Sequence, residues 1–454
     1  MPIPGETFVL RLREPRPTLV DMNVLDLSWL GAGDPIAMVS WGLGPRASVD
    51  FAAFSLISLD PLGNVNWQLS RSLCAFSGVD CAKLQIEQAE IARTSNGVIV
   101  AGTAVNLNDG KPHMFAMRVT NKGAIMWARR YGPGVTTMFP GRITAIAPME
   151  TPDHFLIAAA SDADTWLFEI DGNGLPVSAS KLESTHIRRM RLLPTQGICA
   201  VGELLAGNLH GHVEGFVLSL DPVTGARRWS RTYTYGLEGP EFGLRWFDIA
   251  EGSKSLLVVG NHMSWTIEME TLMAFLELDP SALGDVRRAM QPGTKTDPVR
   301  LRSVAAFTED LVPLGPIERK SRYAVSGESK QKPFEFLIGE DFTIQWQKIV
   351  RTPDKTESKL SSVVWPTFDD ILLSGHVKTL ASGVTRGFIT SSPVTIGRGT
   401  PTCSEETNVA FPDHILVSSR VTTPFLPFSI NALDCFHEQA PDLIVTRECL
   451  DAQG

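Results

Sequence analysis

The chain has 454 residues, 43% hydrophobic and 20% charged, with a formal net charge of −9. That is enough apolar material for a large buried core, and with no long Lys/Arg run it excludes the basic face that nucleic-acid binding needs. No apolar run approaches the ~18 residues of a membrane-spanning helix.

In chain order, the start Met1-Pro2-Ile3-Pro4-Gly5-Glu6 lacks the basic and apolar stretches of a secretory signal. The expected location is therefore the cytoplasm, or the outside by a route without a recognisable signal. Thr7–Leu12 (TFVLRL) has strand text with no complete unit around it. From there the chain repeats itself, in units at about 22–73, 81–134, 141–184, 186–236, 241–293, 297–354 and 359–400. The 38 Gly and 30 Pro punctuate short strands rather than helices.

Each unit predicts four strands. The second is a short apolar run closing in Gly, as in Val98–Gly102, Leu256–Gly260 and Ile371–Gly375. Continuous apolar text of that length suits a strand buried on both faces. Gly at its end permits a bulge or close backbone packing. The third strand opens on an aromatic, as in Phe115–Val119, Trp166–Ile170, Phe216–Leu220 and Phe275–Leu278. Turns such as Asp60-Pro61-Leu62-Gly63, Asp171-Gly172-Asn173-Gly174 and Asp221-Pro222-Val223-Thr224-Gly225 follow. Asp caps such a turn through its carboxylate and Gly supplies the positive φ. The fourth strand then places Trp67, Trp127, Trp229 or Trp346, read as packing between units; Ser178 and Val286 stand near that place in the third and fifth units.

A period of this length is one four-stranded antiparallel blade, which cannot bury both faces alone. The expected fold is all-β: a seven-bladed β-propeller over residues 1–400, the N-terminal strand closing the last blade, and a C-terminal β extension over 401–454. Pro412–Ser419 echoes Pro152–Ala159, so the alternative is eight blades, the extension forming part of the eighth.

The consensus resembles a broad group of bacterial β-propeller repeats, quoted best by SNGVIVAGTA and MFAMRVTNKGAIMWARRYG of the second unit. LDPVTGARRWSRTY of the fourth unit is also similar to the repeat of pyrroloquinoline-quinone dehydrogenases. That likeness implies an adjacent Cys pair and a calcium site, and no adjacent Cys pair is present. The resemblance implies the fold; propellers host unrelated activities.

No thiolate zinc motif, phosphate loop or nucleophile elbow occurs, so no catalytic residue, metal or cofactor is expected. Cys74 and Cys81 bracket a loop able to close in an oxidising compartment, and Cys199 reads as a core thiol. Asp171 begins like a calcium loop, but its twelfth position is Leu182 where a Glu is needed. The loops between second and third strands are long and hold His113, His210, His212, His262 and His376. With Asp109, Glu241 and Trp265 these are the binding candidates on a loop face. The expected function is a non-enzymatic protein-interaction or structural module, a component of a larger assembly. The alternative is carbohydrate recognition or cleavage in a loop-face pocket using Asp109, Trp265 and Glu241.

Overall fold

The computed structural model describes residues 9–13, 20–29, 34–43, 53–60, 63–72, 84–106, 109–132, 141–161, 164–205, 213–235, 242–264, 271–290, 299–311, 318–329, 332–350, 356–365, 370–380, 385–393, 404–406, 416–420, 425–427, 431–434 and 444–447. Among them there is no helix. Seven antiparallel blades stand around an axis as a β-propeller, the seven-bladed form the repeat predicts. The innermost strands, in order, are Val20–Trp29, Leu84–Thr94, Arg142–Pro148, Thr185–Leu193, Phe242–Glu251, Val299–Leu311 and Thr356–Val364. The fourth strands are Val65–Ser72, Ile125–Gly132, Pro176–Leu182, Arg227–Tyr235, Asp285–Met290 and Ile344–Val350 for blades one to six.

In blade seven that place is taken by Val9–Arg13, which pairs Leu10 with Ile389 of Thr385–Pro393. Five short strands of the tail add to the rim. Ser404–Glu406 pairs with the fourth strand of blade six, Leu416–Arg420 with that of blade four, and Phe425–Pro427 with that of blade three. Asn431–Asp434 follows on blade two, and Ile444–Arg447 pairs with Val9–Arg13. The tail thus runs around the disc against chain order. It supplies ladder partners to strands that otherwise end their sheets with open hydrogen-bonding groups.

The core lies between blades. Phe54 and Leu56 of blade one pack with Val100, Phe115 and Met117 of blade two, and equivalent clusters follow from blades two and three to blades six and seven. This is why second strands carry continuous apolar text: Gly97–Ala104 is buried at every position.

A repeated joint ties the outer parts of neighbouring blades. The Trp67 indole N–H donates to Asn121 O at 2.8 Å, and that of Trp127 to Gly172 O at 2.7 Å. Tyr131 OH donates to Gly174 O at 3.1 Å and Tyr233 OH to Gly284 O at 2.8 Å. Each acceptor is in the turn of the next blade. Gly174 has φ +75°, and a Cβ there would lie 2.7 Å from the Trp127 ring, so both backbone and space demand glycine. Asp171 caps this turn, accepting from Asn173 N at 2.9 Å and Leu175 N at 2.8 Å. The segment is a hairpin turn, as its failed calcium pattern implies.

Candidate functional site

The site begins with a pattern of four residues. Each innermost strand carries apolar–X–X–apolar: Val24 to Leu27, Ile86 to Ala89, Ile143 to Ile146, Ile187 to Met190, Trp246 to Ile249, Leu301 to Val304 and Leu360 to Val363. In a regular strand, residues three apart point to opposite faces. Here every innermost strand shifts register between the two apolar positions, an inserted residue that restores them to one face. In blades two to seven both members of the pair join the same inter-blade cluster. Gly202 shows how the second strand makes room: it lies opposite Ile187, and a Cβ there would collide with His186 O.

The inserted residues are Leu25, Glu87, Thr144, Arg188, Phe247, Arg302 and Ser361. All seven line one cavity on the axis, of about 460 Å³. It lies along the earlier part of the innermost strands. That is the end where chain enters each blade and where the loops between second and third strands emerge. Asn23, Gln88, Thr144, Ser303, Ser361 and His376 add polar groups to its wall.

Beneath the ring, Arg189 meets carboxylates of three other innermost strands in a second layer. Arg189 of blade four donates to Asp26 Oδ1 of blade one at 2.8 Å and to Glu90 Oε1 of blade two at 2.7 Å. Its Nε is 3.8 Å from Asp248 of blade five. Asp248 also accepts from Arg191 at 3.1 and 2.9 Å, from Ser303 Oγ at 2.6 Å and from Val304 N at 3.1 Å. Asp26 accepts Ile91 N at 2.8 Å, and Glu90 accepts Ile146 N at 3.2 Å. The three carboxylates are therefore held by arginine and by backbone amides of the next blade.

These groups titrate differently. Burial pushes the Glu90 carboxyl up to about 7 against the pull of Arg189. Burial works the same way on Asp248, but Arg191 and Arg189 overcome it and hold that carboxyl below its ordinary range. Arg189 stays charged: burial opposes its charge, while Asp26, Glu90 and Asp248 favour it and prevail.

One wall of the cavity is basic. Phe247 lies between the inserted residues of its neighbours, with the guanidinium of Arg188 and that of Arg302 each 5.3 Å from its ring centroid. Arg188 donates to Glu203 at 2.8 Å, and Arg302 is 3.6 Å from Glu328. Burial would raise the Glu203 carboxyl, but a hydrogen bond from His186 and the charges of Arg188 and Arg245 bring it down to about 2. On the opposite side Glu87 pairs with Arg142 at 2.8 Å.

Of the residues singled out by sequence, His376 reaches this cavity, from the second strand of blade seven. His113 is half-buried at the start of a third strand, opposite Ala104, with its pKa lowered by burial and by Arg130. Asp109 is exposed in a turn, accepting from Lys111 N at 3.1 Å, and does not line the cavity. His210, His212, Glu241 and Trp265 lie outside the described residues, as does the side chain of His262. Of the carbohydrate-pocket residues Asp109, Trp265 and Glu241, the last two thus fall outside the described residues. Cys199 is a buried core thiol, its pKa pushed up to about 12 by burial. No group of three His, Cys, Asp or Glu among the described residues is placed to hold a metal ion. Sequence reading missed Phe247, Arg302 and Arg188. The available signal was the apolar spacing of three inside strand text.

Fold and site together define a β-propeller with an axial ring of unlike side chains. No family model matches the sequence, and no curated protein does. Among solved structures, the chain is similar to the Dos1 propeller at 8% identity, covering 85% of this chain and 94% of that one, TM-score 0.39. A protein of unknown function from Dyadobacter fermentans is 9% identical, with 86% and 99% covered and a TM-score of 0.42. The Nup133 β-propeller domain of Vanderwaltozyma polyspora is 9% identical, with 84% and 100% covered and a TM-score of 0.30. Likenesses this low carry no functional argument.

Proposed function

We propose that this chain is a non-enzymatic binding module of the bacterial repeat type, whose loop face engages a protein partner within a larger assembly. Residues 1–400 are the disc and 401–454 an extension that girdles it. The observation that carries the reading is the axial ring. One backbone position, repeated seven times, bears Leu25, Glu87, Thr144, Arg188, Phe247, Arg302 and Ser361. A structural repeat needs no such variety, whereas a recognition surface does. The second layer speaks against glycoside cleavage. Asp26, Glu90 and Asp248 converge on the axis but are engaged by Arg189 and by backbone amides.

The test is quantitative capture from the native source with the full chain, with Phe247→Ala, and with a chain lacking 401–454. A protein retained by the full chain and lost with Phe247→Ala is the expected result. The truncated chain shows whether the girdle contributes. Identical capture by full chain and Phe247→Ala removes the ring from the binding surface, and binding of glycans with no protein captured replaces this reading with the carbohydrate one.

A further inference from the structure

The basic wall is the part of the cavity whose charge is least answered. Glu203 is divided between Arg188, at 2.8 Å, and Arg245, at 2.7 Å. Glu328 is divided between Arg300, at 3.3 Å, and Arg302, at 3.6 Å. The contact of Arg302 is thus too long for a hydrogen bond, and the Nε of Arg188 makes none. Both side chains are partly open to the cavity, with relative exposures of 33% and 28%. A guanidinium held in low dielectric with half a counter-charge is an expensive group, and an anion entering the cavity relieves that cost. Arg302 carries the signature of it: burial, with repulsion from Arg300 and Arg188, outweighs Glu328 and lowers its pKa.

Two features make the wall selective for a carboxylate. The Phe247 ring holds both guanidiniums at the same distance from its centre, which orders them at low entropic cost. Guanidiniums also present parallel N–H donors that match the two oxygens of a carboxylate. Around them Thr144, Ser361 and Gln88 add neutral hydrogen-bonding groups, and the lining also includes Arg189 and Glu90, which are paired with each other. Glu87 stands on the far wall and is itself paired with Arg142.

We propose that Arg188, Phe247 and Arg302 form a carboxylate-binding site that takes an acidic side chain of the partner protein into the axial cavity. This rests on the reading of the loop face as a binding surface. The probe is a capped tri-glutamate peptide, titrated calorimetrically into the full chain, with capped tri-glutamine as control. Tri-glutamate binds, tri-glutamine does not, and Arg302→Gln or Arg188→Gln weakens binding about tenfold or more, the scale of one charge-assisted contact. Arg302→Lys keeps the charge near Glu328 and retains part of the affinity, which separates loss of contact from loss of fold. Thermal melts establish that the variants fold.

Equal binding of the two peptides, unchanged affinity in both glutamine variants, or no binding of tri-glutamate overturns the proposal. So does binding of free glutarate with the peptide excluded, since the site then serves a small molecule. Partner capture that still depends on Phe247 while tri-glutamate fails sinks the carboxylate inference alone. Failure of both sinks the loop-face reading as well.

Discussion

Rim and axis of this disc obey opposite rules. Toward the rim, different blades solve the same problem with the same chemistry: Trp67, Trp127, Tyr131 and Tyr233 each donate a hydrogen bond to a turn carbonyl of the next blade. At the axis, every blade has the same bulged backbone, and six residue types fill its seven places, arginine alone recurring. Repetition of residue with backbone marks what the fold requires. Repetition of backbone without residue marks where the fold leaves the choice open, and there binding specificity can be written.

The comparison is broken most severely at the second layer. Arg189→Met leaves Asp26, Glu90 and Asp248 without their shared cation, and the expected loss is about 3–5 kcal/mol of unfolding free energy in a denaturant titration. A loss below about 1 kcal/mol shows that the blades do not depend on this junction. Next comes the rim. Gly174→Ala meets both a left-handed backbone and the Trp127 ring, whereas at Gly225, with φ +67°, an added Cβ has nothing within 4 Å. The first is expected to cost on the order of 3 kcal/mol and the second about 1, read from the same titration. Equal losses mean the ring contact is loose.

The third effect is pH dependence. The folded Glu90 carboxyl is raised from 4.5 to about 7, so between those values the fold holds more protons on it than the unfolded chain does. Stability therefore falls as pH rises through that window and levels off above it. Glu90→Gln removes this slope, worth about 1–3 kcal/mol over the window, in melts from acid to neutral pH. An unchanged slope assigns it to another group. The smallest effect sharpens the rim: Trp127→Phe deletes the N–H to Gly172 O and keeps most of the ring, for about 1 kcal/mol.

Much of the rim was legible in sequence because its joints are local and repeated. Asp171, Gly174 and Trp127 announce a turn, a positive φ and an aromatic in text that recurs at fixed period. The axis was not. Arg189 and Asp26 are 163 residues apart and meet only once the ring is closed. Neither belongs to a motif: Asp26 stands between Leu25 and Leu27, and Arg189 between Arg188 and Met190. The histidines drew attention by residue type, and of those described only His376 faces the cavity. Phe247 was hidden beside Trp246, where an aromatic pair looks like core. The register shift that turns one inward and leaves the other buried has no residue code of its own, only the spacing of Trp246 and Ile249.

The girdle and the closing strand tie distant parts of the chain together. Val9–Arg13 pairs with Thr385–Pro393 and with Ile444–Arg447, so strands far apart in the sequence complete the seventh blade. Closing so long a loop is entropically costly and slow. Blades one to six each draw four strands from one stretch of chain, whereas the seventh has its fourth strand only when Val9–Arg13 docks. The closing strand and the axial junction of Arg189 with blades one, two and five thus join the ring at two radii, one at its rim and one at its centre.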